Sequence, residues 1–296
     1  MNQAMTVSGF TFVRNGTLLG YPYIESIRSA LPICDEFVVA AGASDDDTLD
    51  RLQALARAEP KVRVISTRWN EKMVDRGYVY AQQKMIAQFN CSSDWAFYLE
   101  GDEVLHEDET GAIRAAMARH LDDPRIEALV FDYYHFFGSP EWIAVSPGWY
   151  RRAVRIVRNS IRNYSPDGLF FVVMDRNKRG RYPNAAPVNA HIYHYGHVRR
   201  RERMREKVAR VSRYWDHPPP EFTGYAIDPQ ALERFHGSHP ALVQDWLARE
   251  AEPRFLPDPA YVPNARERKH RRLMKLERWF GLELSKKHYR LVAEAR

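Results

Sequence analysis

Trp95-Ala-Phe-Tyr-Leu-Glu-Gly-Asp-Glu103 joins an apolar run directly to three carboxylates. The five apolar residues predict a short strand that is buried on both faces. Carboxylates at a buried strand end repel one another and lose solvation unless a cation neutralises them. Because oxygen ligands suit Mg2+ or Mn2+, we expect a hard divalent ion at this junction. The alternative is a solvated turn that caps a helix beginning near Glu107.

Three more strand-like runs precede this segment, and helical patterns separate them. The strands are predicted at residues 8–13, 36–41, 62–65 and 95–99, and the helices at residues 18–31, 46–58 and 75–89. Strands alternating with helices of these lengths predict an α/β fold with a mostly parallel sheet covered by helices. Ligands of such sheets bind at the carboxyl ends of the strands. The loops expected to carry function therefore lie at residues 14–17, 42–48, 67–76 and 100–106.

The second half of the chain is less regular. Strands are predicted near residues 128–137, 155–157, 167–174 and 192–197, and a strongly basic helix over residues 199–214. Residues 216–263 contain nine prolines and are predicted to be extended packing or linker segments. A basic amphipathic helix is predicted at about residues 264–280, ending at Gly281.

Composition excludes several classes of protein. Of the 296 residues, 45% are hydrophobic and 28% are charged, which excludes a mostly disordered or low-complexity chain. No run approaches the ~18–20 apolar residues of a membrane span, and residues 1–6 show no signal-peptide pattern. Cys34 and Cys91 form neither a disulfide framework nor a metal motif. We therefore expect a cytoplasmic protein with reduced thiols.

The net charge of +6 is concentrated in the C-terminal tail. Residues 264–296 hold eleven Lys and Arg against four acids, a net charge of +7, which leaves −1 for the rest of the chain. A basic segment of this kind suits an anionic membrane surface or nucleic acid. Because the chain contains no motif that reads RNA or DNA, we expect no nucleic-acid partner.

Four short motifs follow one another along residues 8–104. They are Phe10-Thr-Phe-Val-Arg-Asn15, Phe37-Val-Val-Ala-Ala-Gly-Ala-Ser-Asp-Asp-Asp-Thr48, Arg76-Gly77 followed by Ala81-Gln82, and Glu100-Gly-Asp102. In this order they resemble the nucleotide-sugar domain of family 2-like glycosyltransferases, which have the GT-A fold. The resemblance implies a Rossmann-like sheet flanked by helices over residues 1–215, with a nucleotide-sugar half at about 8–106 and an acceptor half at about 107–215. A Pro-rich connecting segment would follow at 216–263, and a basic amphipathic helical extension at 264–296.

The resemblance also implies roles for single residues. Asp102, supported by Glu100, would hold a Mn2+ or Mg2+ ion that bridges the two phosphates of the donor. The residues expected to bind the donor are Arg14, Asn15 and Asp46 around the nucleoside, Arg76 at the diphosphate, and Glu103. A surface salt bridge with Asp75 or Glu71 is the alternative role of Arg76. The family often has an Asp at the end of the second strand, where this chain has Ala40-Ala41-Gly42. A UDP-sugar donor is therefore expected as the family default, without support from a residue at this position.

A histidine-rich strand end, Tyr193-His-Tyr-Gly-His197, resembles the place where the GT-A fold recruits a further metal ligand. His194 matches that position best and His197 second. The arginines that follow would clamp phosphate or form a solvated helix face; they are Arg199, Arg200, Arg201 and Arg203.

An inverting transferase needs a general base that deprotonates the acceptor hydroxyl. Asp167 is the preferred candidate, because it precedes an apolar strand as a base at the rim of the sheet would. Glu141, in another loop-like segment, is the second candidate. Each could instead be a turn-forming acid.

The implied activity is transfer of a sugar from a nucleotide diphosphate sugar to an acceptor hydroxyl, with inversion, by a hexosyltransferase-like enzyme of surface-glycan synthesis. The acceptor would be a carbohydrate or a lipid-linked molecule. The apolar residues Leu273, Leu276, Trp279 and Phe280 could hold the tail helix on the inner membrane face, on the catalytic domain or on a second copy. Two other functions stay open: a GT-A protein that binds a nucleotide sugar without catalysis, and a basic nucleic-acid-binding protein.

Overall fold

The computed structural model describes residues 4–215, 221–252 and 255–292. The strands of these residues are β1 (Val7–Val13), β2 (Glu36–Gly42), β3 (Val62–Thr67), β4 (Trp95–Tyr98), β5 (Glu103–Val104), β6 (Ala128–Phe137), β7 (Ser139–Ala144), β8 (Arg152–Arg158), β9 (Asn163–Tyr164), β10 (Val172–Met174), β11 (Gly180–Arg181), β12 (Asn184–His197), β13 (Leu232–Arg234) and β14 (Arg290–Leu291). The α-helices are α1 (Tyr23–Ala30), α2 (Thr48–Ala58), α3 (Tyr78–Gln88), α4 (Thr110–Arg119), α5 (Arg201–Val211), α6 (Gln244–Glu250) and α7 (Ala265–Phe280). Short 3₁₀ turns lie at Glu107–Glu109, Ser212–Trp215, Pro229–Ala231 and Ala241–Val243.

The first half of the chain forms the parallel part of the main sheet, in the order β3-β2-β1-β4. Alternate residues of each strand enter cores on opposite faces: Phe37 and Val39 of β2 on one face, Val38 and Ala40 on the other. α1 and α2 pack on the first face and α3 on the second. Burial on both faces explains why β2 and β4 are almost wholly apolar. The predicted α/β fold class, a sheet flanked by helices, is confirmed.

The second half adds strands of mixed direction. β8 lies antiparallel between β4 and β6, and β12 runs parallel to β6 on its other side. The two-residue strand β5 pairs antiparallel with β12, so that Glu103 lies opposite His194. This pairing brings the carboxylates after β4 beside the histidine-rich end of β12. β9, β10 and β11 form a separate three-stranded sheet.

Two predicted helices begin later than the sequence pattern suggested. The helix expected at residues 18–31 begins at Tyr23, because Gly20 has a φ of +62° and Pro22 directly precedes the helix. The helix expected at residue 75 begins at Tyr78, because Arg76 and Gly77 have φ angles of +43° and +70°. Apolar periodicity alone does not reveal such left-handed turns. The strand expected at 192–197 is the end of the longer β12, and that expected at 167–174 is reduced to β10.

The Pro-rich segment packs against the sheet. Residues 216–220 and 253–254 lie outside the described residues, but β13 pairs with β7, and α6 buries Trp246 and Leu247. α7 follows at the predicted position and ends at Gly281, whose φ is +62°. The chain then returns to the sheet as β14 beside β12. Within the described ranges, no helix combines the length and the apolarity needed to cross a bilayer.

Candidate active site

Two carboxylates and an imidazole meet at the carboxyl edge of the sheet. Glu100 and Asp102 follow β4, and His194 is carried to them by the pairing of β12 with β5. One ligand atom from each of the three residues lies within 4.8 Å of the other two. The structure thus brings together the three residues predicted from the sequence to hold a metal.

Asp102 is held by one of its two oxygens. Oδ2 accepts hydrogen bonds from Arg199 at 3.1 Å and from Lys207 at 3.2 Å. The other oxygen, Oδ1, faces Nε2 of His194 at 3.7 Å. Two basic groups therefore fix the orientation of the carboxylate and leave Oδ1 directed at the imidazole.

Glu100 is held in a similar way by Arg155. The guanidinium donates to Glu100 Oε1 at 2.8 Å and also forms two bonds to the buried Glu103, at 2.6 and 2.8 Å. Tyr133 adds a hydrogen bond to Glu103 at 2.8 Å. Among the described residues, no hydrogen bond reaches Glu100 Oε2, so this oxygen is available to a ligand.

The hydrogen bonds of His135 fix which nitrogen of His194 carries its proton. His135 Nε2 lies 2.7 Å from the backbone carbonyl of Tyr150, which can only accept, so Nε2 carries the proton of His135. In a neutral His135, Nδ1 is then an acceptor, and the Nδ1 of His194 at 2.8 Å must donate to it. The lone pair of His194 is consequently on Nε2, which faces Asp102. His135 thus orients the imidazole of His194 so that its unprotonated nitrogen faces Asp102, as a hydrogen-bond partner of a metal-binding histidine would.

Burial shapes the ionisation of these groups. It lowers the pKa of His194 to about 4, so the imidazole is neutral at neutral pH. Burial, reinforced by the Glu103 carboxylate, raises the pKa of Glu100 to about 8. Burial would also raise the pKa of Asp102, but the cations Lys207 and Arg199 together hold it well below its usual range.

The residues present fit a divalent cation. Asp102 Oδ1 and His194 Nε2 are two lone-pair acceptors that face each other without a shared proton, and Glu100 Oε2 lies in the same cluster. Such an arrangement is unfavourable until a cation stands between the acceptors. Two carboxylates and a neutral imidazole suit Mn2+, and their oxygens suit Mg2+.

The cluster opens into a cavity of about 350 Å3. Lys207 and His197 line it beside the three candidate ligands. Most of the remaining wall is aromatic; its rings include Phe12, Tyr21, Trp69, Tyr80, Tyr98 and Trp149. A charged cluster at one end of an aromatic cavity can bind an anionic group while the rest of the ligand packs on rings.

Three rings of the cavity wall, Trp69, Tyr80 and Trp215, form one cluster with Tyr214, which lines a smaller neighbouring pocket. Trp69 lies 5.1 Å from Tyr80 and 5.6 Å from Tyr214, and Tyr80 lies 6.0 Å from Trp215. Gly77 makes this packing possible, because a Cβ there would stand 2.5 Å from the ring of Trp215. The chain after α5 is thereby held against the beginning of α3.

Of the predicted nucleoside contacts, Arg14 lines the cavity, and Asn15 lines a smaller pocket of about 70 Å3 that shares several of its residues. Arg14 pairs with Glu71 at 2.5 Å. The amide oxygen of Asn15 accepts the backbone N–H of Asp45 at 2.8 Å. Asp46 lies outside the cavity wall, and its carboxylate accepts the backbone N–H groups of Leu18, in the turn after β1, and of Thr48, at the start of α2.

Neither Arg76 nor Glu103 reaches the cavity wall. The side chain of Arg76 is 87% exposed and lies 3.9 Å from Asp75, which is the salt bridge weighed as its alternative role. Glu103 is fully buried behind the site, where it neutralises Arg155. Glu103 therefore contributes to the site by holding Arg155, which in turn contacts Glu100.

The two predicted general bases have different positions. Asp167 directly precedes Gly168 and Leu169, which line the cavity, and its Oδ1 accepts the backbone N–H of Leu169 at 2.9 Å. Glu141 is exposed on β7 and lies 3.5 Å from Arg234. Neither carboxylate lines the cavity; Asp167 is next in sequence to two residues that do, and Glu141 is not.

The four arginines predicted to clamp phosphate differ in burial and in their contacts. Arg199 is completely buried, with its guanidinium on Asp102. Arg200 and Arg201 are exposed, and Arg203 donates to the carbonyl of Leu18 at 2.7 Å. Only Arg199 of these four therefore touches the candidate ligands.

Sequence reasoning missed Lys207, His135 and Arg155. Lys207 lies on the basic helix that was predicted, but periodicity does not show which cation of a basic helix turns inward. Arg155 interrupts the apolar stretch of β8, and a charged residue inside a buried strand is the signal that could have revealed a buried ion pair. His135 carried no sequence signal of its own.

The comparisons with known proteins find structural likeness only. No family model matches the chain, and no curated protein matches it. Among solved structures, the chain is similar to S. aureus TarS, with 15% identity over 70% of this chain and 40% of that chain and a TM-score of 0.39. TarS 1–349 in complex with UDP gives 15% identity, 53% and 47% coverage and a TM-score of 0.34.

A third similar structure is the glucosyl-3-phosphoglycerate synthase of Mycobacterium tuberculosis in complex with Mn2+, UDP and glucosyl-3-phosphoglycerate. It has 23% identity, covers 44% of each chain and gives a TM-score of 0.31. This chain thus spans less than half the length of each of these solved chains.

Proposed function

We propose that this protein is a metal-dependent glycosyltransferase that moves a sugar from a nucleotide diphosphate sugar to an acceptor hydroxyl. The observation that carries the proposal is the convergence of lone pairs from Glu100, Asp102 and His194 beside Lys207, at the mouth of an aromatic cavity. A diphosphate needs concentrated positive charge, and a nucleoside and a sugar need apolar and stacking surface. The cavity offers both.

Each charged residue has a place in the proposed mechanism. A Mn2+ or Mg2+ ion held by Glu100, Asp102 and His194 would supply positive charge that stabilises the departing diphosphate. Lys207, whose ammonium group lies 3.2 Å from Asp102, would donate to the diphosphate oxygens from beside the candidate ligands. Arg199 stays behind Asp102 and keeps its carboxylate oriented. The aromatic wall excludes water from the bond that breaks.

The nucleoside is proposed to lie near Arg14 and Asn15, with a UDP-sugar as the donor. Asp167 is proposed to accept the proton of the acceptor hydroxyl, which attacks the sugar from the face opposite the diphosphate and inverts the anomeric centre. The acceptor is proposed to be a carbohydrate or a lipid-linked hydroxyl of a surface glycan. The protein would then work in the cytoplasm, at the inner membrane face.

A donor panel tests the proposal. Purified protein would be incubated with sugars linked to UDP, GDP, CDP and dTDP, with Mn2+ or with EDTA, and release of the nucleoside diphosphate would be measured. We expect release from one nucleotide class, dependent on the metal. Metal-dependent binding of a nucleoside diphosphate without turnover, across a panel of acceptors, would favour the alternative of a non-catalytic nucleotide-sugar-binding protein.

Lys207→Met is expected to weaken nucleotide binding. The substitution keeps the length of the side chain and removes the ammonium group, which lies 3.2 Å from Asp102 and 2.9 Å from the carbonyl of Gly196. Because a charge-assisted hydrogen bond contributes about 1.5–3 kcal/mol, the dissociation constant for UDP with Mn2+ should rise about 10- to 100-fold. Calorimetric titration measures it, with the exposed Lys72→Met as the matched control. Equal UDP affinity in both variants would remove Lys207 from the donor site.

His135→Phe is expected to weaken metal binding without touching the metal. Phenylalanine cannot accept the Nδ1 proton of His194, so the proton is no longer confined to that nitrogen. Loss of such a partner typically costs 10- to 100-fold in metal affinity, and we expect a loss of about that size for Mn2+. Electron paramagnetic resonance of free Mn2+ measures the affinity without any turnover. His135→Gln, whose amide oxygen can accept, should retain more of it; equal affinities in the two variants would contradict the role of His135.

A further inference from the structure

Helix α7 is docked on the body of the protein by one face only. Arg271 pairs with Asp228 at 2.5 Å, and Glu277 pairs with Arg151 at 2.7 Å. His270 packs so closely on Gly148 that a Cβ there would stand 2.6 Å from its ring. These contacts fix the rotation of the helix about its own axis. They therefore also determine which residues the helix presents to solvent.

The solvent face of α7 carries an apolar stripe next to cations. Lys269, Arg272 and Leu276 are spaced by three or four residues. Trp279 and Phe280 follow Leu276 by three and four residues, so all five lie along one side of the helix. All five are exposed; Trp279 is 73% exposed and Phe280 67%. Of the fourteen large hydrophobic side chains exposed in the described ranges, eight lie between residues 256 and 291. Five of these eight lie on α7 or within four residues of its end; they are Leu276, Trp279, Phe280, Leu282 and Leu284.

The charges of α7 are sorted between its two faces. Both acids, Glu267 and Glu277, are engaged in contacts with the body or with the helix cap. Six cations are exposed: Arg266, Arg268, Lys269, Arg272, Lys275 and Arg278. The described residues provide no ion-pair partner for any of these six. The outer face therefore has a positive potential that no acid of the helix reduces.

We propose that the exposed face of α7 binds the surface of an anionic lipid bilayer. Lys and Arg on a helix are attracted to anionic headgroups, while Trp, Phe and Leu enter the boundary with the acyl chains. Charge complementarity selects an anionic surface, and the aromatic and aliphatic side chains at the helix end select a bilayer over nucleic acid. The axis of α7 would then lie parallel to the membrane surface.

The docked face of α7 connects this surface with the candidate active site. Gly148 and Arg151, which hold the helix, flank Trp149 and Tyr150, and both of these line the cavity. A bilayer on the outer face of α7 would therefore stand close to one wall of the cavity. Under the proposed function, this position suits an acceptor whose hydroxyl is carried by a membrane lipid; the bilayer contact itself does not rest on that function.

Vesicle flotation of the full chain, without nucleotide or metal, tests the proposal. We expect binding to vesicles of phosphatidylcholine with phosphatidylglycerol, little binding to phosphatidylcholine alone, and weaker binding as salt rises. Trp279→Ser/Phe280→Ser and Arg272→Gln/Lys275→Gln should each lower the partition coefficient at least about tenfold. Phe89→Ser, which removes another exposed aromatic ring, and Arg57→Gln, on α2, should leave it unchanged.

Several results would overturn the proposal. One is the absence of binding to anionic vesicles, and another is undiminished binding by the two α7 double variants. A third is a dimer in light scattering that Trp279→Ser/Phe280→Ser dissociates, since a second copy would then cover this face. A fourth result concerns Trp279→Ser/Phe280→Ser. If this variant bound both an oligonucleotide and anionic vesicles with wild-type affinity, the face would be a cationic patch that does not select a bilayer. None of these outcomes depends on transferase activity.

Discussion

Asp102→Asn is expected to abolish metal binding and turnover together. The amide keeps the shape of the side chain, but its oxygen is a weak ligand and its charge is gone. Arg199 and Lys207 would then lie beside the site without their counter-ion and would repel a divalent cation. We expect Mn2+ affinity and metal-dependent release of the nucleoside diphosphate to fall at least about a hundredfold, a loss typical of removing one electrostatic contact to a developing charge.

Two further variants are to be compared with Asp102→Asn. Asp108→Asn changes an acid whose side chain is 84% exposed and should behave as wild type. Glu100→Gln removes a second candidate ligand while Arg155 keeps Glu103 as its main partner, so it should weaken Mn2+ binding in a protein that stays folded. Circular dichroism and a denaturation curve establish that each variant is native. Metal-dependent turnover in a folded Asp102→Asn protein would contradict the assignment.

Arg155→Met is expected to cause a large loss of stability. Arg155 is almost completely buried, with three hydrogen bonds to the carboxylates of Glu103 and Glu100. Methionine fills much of the volume but leaves Glu103, which is fully buried, without its cation. Removing one partner of a buried ion pair costs about 3–5 kcal/mol, because the remaining charge is uncompensated. Urea denaturation, read as the free energy of unfolding, measures the loss.

The double variant Arg155→Met/Glu103→Gln separates the ion pair from simple packing. Glutamine can still accept the hydrogen bond of Tyr133, and it removes the buried charge, so we expect most of the lost stability to return. Arg125→Met, which breaks an exposed pair with Asp123, should change stability very little. If Arg155→Met were no less stable than Arg125→Met, the buried network would not be the support of the site.

The parallel half of the sheet could be predicted from the sequence because its strands are buried on both faces. Such strands read as short apolar runs; β2 and β4 show this pattern, and in β1 only Ser8 and Thr11 interrupt it with polar side chains. The positions of Glu100 and Asp102 followed from the same reasoning, since they are attached to the end of β4. The exact helix starts did not follow, because turns at Gly20 and Gly77 depend on backbone conformation rather than on periodicity.

Groups that arrive from distant strands were harder to predict. His194 was found through the resemblance to a family, and the pairing of β5 with β12 is the physical reason that it reaches Asp102. Arg155 and His135 come from strands whose order in the sheet no local pattern shows. The resemblance implied a donor-binding role for Glu103, yet its side chain lies buried on Arg155 and does not line the cavity.

Crystals of the protein grown with Mn2+ and UDP would give the most direct test of the central claim. An anomalous difference map locates manganese without any assumption about activity. We predict one peak in contact with Asp102 Oδ1, His194 Nε2 and Glu100 Oε2, with the UDP diphosphate between that peak and Lys207. Manganese at another place in the chain, or UDP bound in the cavity with no metal at these three residues, would contradict the account.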